Sequence, residues 1–367
     1  MDEKKRLDEL RAQLAELDHQ ILRQLERRAR IAQDILRHRG GTARYAPIAD
    51  GPHLAALERA TGLPLTPSAV REAFVAIDAA CRNLEVVPRV TFVGAEGGFG
   101  WMAAHDHFGA GAEFVRSDNT LQALDEVAVS RAEFAVVPYE SLSEGPIFPT
   151  IQAIVANGLK LVGEREIVQS LVLIRMDAGS TNIAKIFVTP QDHASAAEYL
   201  QTHHSSAQVV DVRSPLLAIE QAENTADAAA IVPRRTIGSW DKHTIVRENI
   251  AEEGQVRMRY GVISRLPAPR SGADATALLF AVHDRPGALH EILHYFKDKN
   301  CNLRRIQSRP VPGEGFDKAW EYQFYVEVGG HVTDRNLVAA LEGIKRDAKV
   351  LIIVGSFPLE RPERLTS

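Results

Sequence analysis

Residues 88 to 100 read Pro88-Arg89-Val90-Thr91-Phe92-Val93-Gly94-Ala95-Glu96-Gly97-Gly98-Phe99-Gly100, and the chain changes grammar there. Before Pro88 the apolar residues recur at helical spacing. After it, a short β-branched and aromatic run ends in a glycine-rich turn, and Trp101 to Phe108 has helical spacing again, as at the start of an α/β region. Working backwards, Leu7, Leu10, Leu14, Leu17, Ile21 and Leu25 alternate steps of three and four, the apolar seam of one long helix over residues 5 to 38. Gly40-Gly41 stops it, and shorter helices are predicted over 53 to 60 and 68 to 86. Three helices with one very long member bury little alone, so the seam predicts a homodimer.

Working forwards, strand-like runs are expected at 134 to 137, 160 to 162, 170 to 175, 185 to 188, 208 to 212, 229 to 232 and 260 to 263, with helical stretches between most of them. Such alternation places ligands at loop ends of wound sheets. Residues 267 to 273 are rich in Pro, Gly and Ser and read as a linker. Beyond it the runs at 277 to 282, 289 to 297, 302 to 310, 322 to 327, 334 to 344 and 348 to 356 follow the order strand, helix, strand, strand, helix, strand, the ferredoxin-like plan.

Composition narrows the class of function. The 367 residues are 45% hydrophobic and 25% charged with a net charge of -5, so neither a nucleic-acid surface nor an anionic-membrane surface is expected, and a small-molecule role is favoured. The N-terminus lacks an apolar signal core and no run reaches the roughly 18 apolar residues of a membrane span, which predicts a cytoplasmic protein. Cys81 and Cys301 stand far apart, and neither has a second Cys or a His beside it at metal-ligand spacing, so no metal, disulfide or cofactor is expected. The glycine-rich turn at 94 to 100 ends in no Lys-Ser/Thr and lacks G-x-G-x-x-G spacing, which argues against a nucleotide cradle.

Motifs then point to a family. Asp284-Arg285-Pro286-Gly287-Ala288-Leu289 with Ile306-Gln307-Ser308-Arg309-Pro310 resembles an ACT domain of the phenylalanine-sensing kind. The resemblance implies an L-phenylalanine effector pocket at a subunit interface, built from Gly287, Ala288 and Leu289 and from Gln307, Ser308, Arg309 and Pro310, with Gln307 in place of a Glu. Residues 89 to 265 resemble a prephenate dehydratase, a two-lobed fold like that of periplasmic binding proteins, and the whole chain resembles a P-protein: AroQ-type chorismate mutase, dehydratase, ACT domain.

The same resemblance assigns residues. Gly94 to Gly100 stands for G-P-x-G-T-F-S, so Gly98 and Gly100 replace two hydroxyls beside Phe99. Val137 to Gly145 stands for V-P-x-E-N-S-x-x-G, keeping Glu140 but placing Ser141 and Leu142 where Asn and Ser are usual. Thr189-Pro190-Gln191 replaces the start of S-H-x-Q, keeping Gln191, and Ser214 falls in the S-T/N-A-x-A-A region. Val256-Arg257-Met258-Arg259-Tyr260 stands for N-x-T-R-F. Arg259 is thereby expected to grip a substrate carboxylate through paired hydrogen bonds. Met258 takes the place of the catalytic Thr, and a thioether cannot donate a proton; Tyr260, Tyr139, Glu140 or a water is left to assist the departing hydroxyl. In the helical module Arg11 and Arg28 match family arginines, Arg39 replaces a Lys, Asp50 a Glu and Ala49 an Arg, and Glu85 keeps a Gln/Glu position.

Three functions follow as alternatives. The first is a bifunctional chorismate mutase and prephenate dehydratase feeding L-phenylalanine synthesis. The second is a repurposed lyase, such as a prephenate decarboxylase that leaves the ring non-aromatic. The third is a non-catalytic, phenylalanine-sensing regulatory protein.

Overall fold

The computed structural model describes residues 2–38, 51–60, 62, 64–82, 87–109, 111–141, 145–175, 183–237, 244–251, 256–283, 285–312 and 320–359. They form two compact units, one of Met1–Pro88 with Phe108–Ala112 and the other of Arg89–His107 with Glu113–Ser367. Among the described residues no helix is long and apolar enough to cross a membrane.

The first unit is helical: Asp2–His38, Gly51–Ala60 and Pro67–Arg82. The 37 residues of the first helix span roughly 55 Å at 1.5 Å per residue. Its seam stays open to solvent, with Leu7, Leu10, Leu14, Leu17 and Ile21 all about half exposed. Arg28 is the residue that ties this helix to the third, donating to Asp78 at 3.0 Å and lying 3.1 Å from the Cys81 sulfur. Asp78 is buried, which makes this a buried polar anchor between the two helices.

The second unit carries three sheets. In the first, the strands run in the order Glu113–Ser117, Arg89–Val93, Phe134–Ser141, Val256–Ser264, Lys160–Gln169. Arg89–Val93 is parallel to its two neighbours, while Val256–Ser264 is antiparallel to both of its own. The second sheet has the order Thr244–Glu248, Leu171–Arg175, Ala228–Pro233, Lys185–Val188, Gln208–Asp211. The chain enters the second lobe after Lys160–Gln169 and returns by Val256–Ser264, so the returning strand ends up in the middle of the first sheet. Its central position explains its apolar run Tyr260 to Ile263, in which Tyr260, Val262 and Ile263 are all buried.

Besides the two-residue Gly145–Pro146, two strands, Glu113–Ser117 and Thr244–Glu248, escape the sequence reading. Both are edge strands with little burial, and Thr244–Glu248 has only one residue that is not exposed, so the alternation that betrays a half-buried strand is missing.

The third sheet is antiparallel, in the order Leu303–Pro312, Trp320–Gly329, Asp274–Ala281, Val350–Pro358, with helices Ala288–Asp298 and Arg335–Asp347 on one face. Leu278, Phe280, Phe324, Val326 and Val328 pack against those helices. The alternate residues Ala275, Ala277, Leu279, Tyr325 and Phe357 join one core with Val137, Tyr139, Phe148 and Leu161 of the first lobe. The period of two thus gives this sheet two buried faces, one turned to its own helices and one to the first lobe. The stretch read as a linker is held in place: Ser271 and Gly272 donate their backbone N–H groups to Asp274 at 2.9 and 3.0 Å, and the Ala268 carbonyl lies 3.2 Å from the His331 ring.

Candidate active site

Three chain segments meet around a cavity of about 260 Å³: the glycine-rich turn Val93 to Gly100, the segment Thr189 to Asp192 with Arg213, Pro215 and Pro233 of the second lobe, and Tyr260 of the returning strand. The volume is near the small end of the roughly 300–1,000 Å³ usual for ligand pockets, which suits a single-ring compound and not a dinucleotide. The lobes are tied beside it by Arg235, whose guanidinium makes two 2.7 Å bonds to Asp106, and by the Thr236 hydroxyl, which donates to the Gly97 carbonyl at 3.0 Å.

Of the residues expected from the sequence, Gly98, Phe99, Gln191 and Tyr260 line this cavity. Gly100 does so too, and the reason it is Gly is steric. A Cβ there would fall inside the van der Waals radius of the Val93 carbonyl oxygen and lie 3.5 Å from the Tyr260 ring. Its small size therefore lets the start of helix Phe99–Phe108 close onto the end of the first strand, and a lost hydroxyl is a poor description of it. Gly100→Ala is expected to cost about 1–3 kcal/mol of unfolding free energy by overpacking, measured as a lower midpoint in urea.

Ser214 has a different employment from the one expected. Its hydroxyl accepts from the Leu217 N–H at 3.1 Å and caps the helix Pro215–Glu223. The neighbour overlooked in the sequence is Arg213, which is exposed, lines the cavity and has no acid partner among the described residues. A guanidinium next to the N-terminus of a nine-residue helix is suited to a carboxylate. The signal was present in Arg213-Ser214-Pro215, a cation followed by a cap and a first-turn proline after a strand.

Arg259 is placed away from the cavity. The strand alternates, and where Tyr260 faces the cavity Arg259 faces away from it, into a buried cluster with the third sheet. Its guanidinium bonds Glu140 and Glu164 at short range and Glu327 at 3.1 Å, and lies 5.0 Å from the centre of the Tyr139 ring. Arg305 pairs with Glu140 from the other side. The Tyr139 and Tyr325 hydroxyls both donate to Glu327, at 2.6 and 2.7 Å. Burial works against charge on Glu327, but Arg259 and Arg305 outweigh it and leave the carboxyl below its ordinary range. Burial likewise opposes the charge on Arg259, and Tyr139, Glu327 and Glu164 overcome it and hold the guanidinium protonated. Arg259 is thus already engaged by three buried carboxylates, and Glu140 by the two guanidinium groups of Arg259 and Arg305.

Met258 and Ser141 are paired across adjacent strands and neither is among the lining residues. Met258 shares a strand face with Tyr260, one pleat repeat away and partly exposed. Around the cavity the acid–base groups are Tyr260 and Asp192. Burial raises the Tyr260 phenol above its ordinary value, a bond with Gln191 pulls it down, and the nearby Asp192 raises it again. Burial raises the Asp192 carboxyl to about 6, against the Thr189 hydroxyl bond, which lowers it.

The residues expected to form the effector pocket are split by the alternation of their strand. Ser308 and Pro310 are exposed, whereas the Gln307 amide packs on Gly145 and the Arg309 guanidinium lies 5.3 Å from the centre of the Phe148 ring, both in the first lobe. Gly287 takes φ +85° immediately before helix Ala288–Asp298, a left-handed conformation that explains why Gly stands between Pro286 and Ala288 in this turn. Leu289 packs on the core under that helix. In the helical unit Arg11 is exposed beside Asp8 at 3.6 Å, and Arg28 is held by Asp78. Arg39, Ala49, Asp50, Glu85 and Leu142 lie outside the described residues.

The chain is similar to known proteins over nearly its whole length. Residues 10–86 match the model of chorismate mutase type II, 90–268 that of prephenate dehydratase, and 276–346 that of the ACT domain. The bifunctional chorismate mutase/prephenate dehydratase of Aquifex aeolicus is 29% identical over 359 residues, 96% of this chain and 98% of the relative. That of Pseudomonas aeruginosa is 28% identical over 366 residues, 98% and 99% of the two chains. Among solved structures, a prephenate dehydratase from Arthrobacter aurescens in complex with L-Phe aligns with a TM-score of 0.61 at 27% identity, over 75% of this chain and 92% of the other. The three modules, in this order, match the P-protein family of bifunctional chorismate mutase/prephenate dehydratases.

Proposed function

We propose that the chain turns chorismate into prephenate in its helical module (residues 1–87) and prephenate into phenylpyruvate in the two-lobed cleft (88–266), with L-phenylalanine as the effector of the ACT module (274–360). The reading belongs to the branch of metabolism that makes L-phenylalanine, and needs no cofactor. The single observation that carries it is the ordered match to all three modules over nearly the whole of full-length relatives. The cleft supports it chemically. Arg213 and the neighbouring helix N-terminus offer an anion site, Phe99, Pro190 and Tyr260 offer apolar and aromatic walls for a ring, and Gln191 offers an amide held by Tyr260.

Purified protein given prephenate at neutral pH is expected to release CO2 and form ultraviolet-absorbing phenylpyruvate. CO2 without an aromatic product would replace this reading with the non-aromatising decarboxylase. Prephenate left intact, with a phenylalanine-dependent rise in Tm, would replace it with the regulatory protein.

The half-exposed seam of Leu7, Leu10, Leu14, Leu17 and Ile21 supports a homodimer through the long helix, since burying such a stripe is worth about 1.5–3 kcal/mol per large side chain. Leu14→Glu with Leu17→Glu is expected to halve the mass seen by light scattering and to abolish chorismate consumption, while prephenate turnover persists.

A further inference from the structure

We propose that Asp192 is the proton donor of the dehydratase cleft, protonating the ring hydroxyl as it leaves and so filling the role that the thioether of Met258 cannot. The inference rests on the dehydratase reading above. It starts from placement: Asp192 is 3% exposed and yet lines the cavity, beside Tyr260 and bonded by Thr189. The other candidates are disqualified by their own partners. Glu140 is locked between Arg259 and Arg305 outside the cavity, and Tyr139 donates to Glu327. Tyr260 lines the cavity, but burial makes its phenol a still weaker acid than usual. The Thr189 hydroxyl is committed, donating to Asp192 Oδ2 at 2.7 Å while accepting the Asp192 N–H at 3.2 Å.

That pair of bonds fixes the carboxyl at the mouth of helix Pro190–Ser195 and leaves its other oxygen for the substrate. Few charges face it. The returning strand contributes Tyr260, the loop after Gln208–Asp211 contributes Arg213 on the same cavity, and the adjoining strand Ala228–Pro233 carries no ionisable side chain. On its own segment Gln191 is neutral and His193 is bonded to Asp211 at 3.0 Å. Burial therefore dominates and brings the carboxyl to about 6, where a general acid is protonated often enough to act near neutral pH and acidic enough to give its proton up. A dianionic substrate alongside would favour the protonated form further.

The step balances as follows. The bond from the ring to its carboxylate breaks and leaves CO2, its electron pair enters the ring, and the C–O bond at the opposite carbon breaks with its pair on oxygen. That oxygen takes the Asp192 proton and departs as water, giving the aromatic phenylpyruvate. Solvent then returns one proton to Asp192, so the sum is prephenate dianion plus one proton to phenylpyruvate anion, CO2 and water.

Asp192→Asn keeps the shape and the bond from Thr189 but has no transferable proton. Its kcat on prephenate is expected to fall by about 10²- to 10⁴-fold, with a retained cooperative thermal transition of the second unit as the measure of folding. In the wild-type protein, after subtraction of uncatalysed aromatisation, kcat should decline as pH rises through and above 6, and the Asn variant should lose that limb. Stability gives a second readout. A carboxyl with a raised folded pKa contributes stability that is complete below its unfolded value near 4 and is lost as pH rises through about 6. The Asn variant should therefore melt higher than wild type at pH 8 and no higher at pH 4, whereas a side chain serving only as a helix cap would make it melt lower at pH 8. An Asn variant with wild-type kcat, or a wild-type kcat that is flat from pH 6 to 9, overturns the proposal while leaving the dehydratase reading intact. Wild-type protein that forms no phenylpyruvate overturns both.

Discussion

Arg259→Ala is expected to lower the unfolding free energy of the second unit by about 3–5 kcal/mol, the cost of stripping one member from a buried ion cluster. This differs from what the resemblance alone implies, namely a raised KM in a protein of ordinary stability. The guanidinium is the hub that joins Glu140 and Glu164 of the first lobe to Glu327 of the third sheet. Without it the three carboxylates face one another with Arg305 alone to balance them, and leaving buried charge uncompensated is worse than never having buried it. Thermal unfolding checks the size: at roughly 2–4 °C per kcal/mol for a unit of this scale, Tm should fall on the order of 10 °C. The pH dependence checks the cause. Glu327 is held below its ordinary range, so its contribution is present above the unfolded carboxylate value and is lost as pH falls through the lower folded value. The gap between variant and wild type should accordingly be widest at neutral pH and shrink in acid, where the carboxylates of the variant are neutral. A Tm within a degree or two of wild type at pH 7 would mean that the cluster contributes nothing and that the guanidinium serves the cleft after all.

The same residue shows where the sequence is legible and where it is not. Period and punctuation carry the fold: the three-and-four spacing from Leu7 to Leu25, the change at Pro88, and the strand and helix alternation beyond Pro267 all have counterparts in the structure. The edge strands Glu113–Ser117 and Thr244–Glu248 were invisible because burial, the source of the pattern, is slight there. Site residues depend on something finer, the direction in which a strand position points. Arg259 and Tyr260 are neighbours in sequence and opposite in space, so a motif spanning both says nothing about which one meets the ligand. Gln307 and Ser308 divide in the same way. Asp192 and Arg213 are not legible in the sequence because their significance lies in what surrounds them: an acid beside a capping Thr and a cation beside a capping Ser look in sequence like ordinary helix starts.

If the anion site has moved from the returning strand to the second lobe, Arg213→Ala is the variant that shows it. The expected result is a KM for prephenate raised roughly 10- to 150-fold, corresponding to the loss of about 1.5–3 kcal/mol for a hydrogen bond to a charged group. Two features make the stability effect small. The side chain is exposed and has no acid partner among the described residues, so removing it breaks no internal pair. The helix beside it keeps its cap, because the Ser214 hydroxyl bonds the Leu217 N–H independently of Arg213. Tm should therefore stay within about a degree of wild type, since surface substitutions away from such features stay within about 0.5 kcal/mol. Lysine at the same position is expected to recover part of the affinity, since a point charge remains but the two-pronged hydrogen bonding to a carboxylate does not. Higher ionic strength should raise the wild-type KM more than that of the Ala variant, because the attraction being screened has gone from the latter. Arg259→Ala and Arg213→Ala thus give opposite patterns, large in Tm for one and large in KM for the other. An unchanged KM in Arg213→Ala would return the carboxylate to some other group of the cleft, the N-terminus of helix Pro215–Glu223 being the next in line.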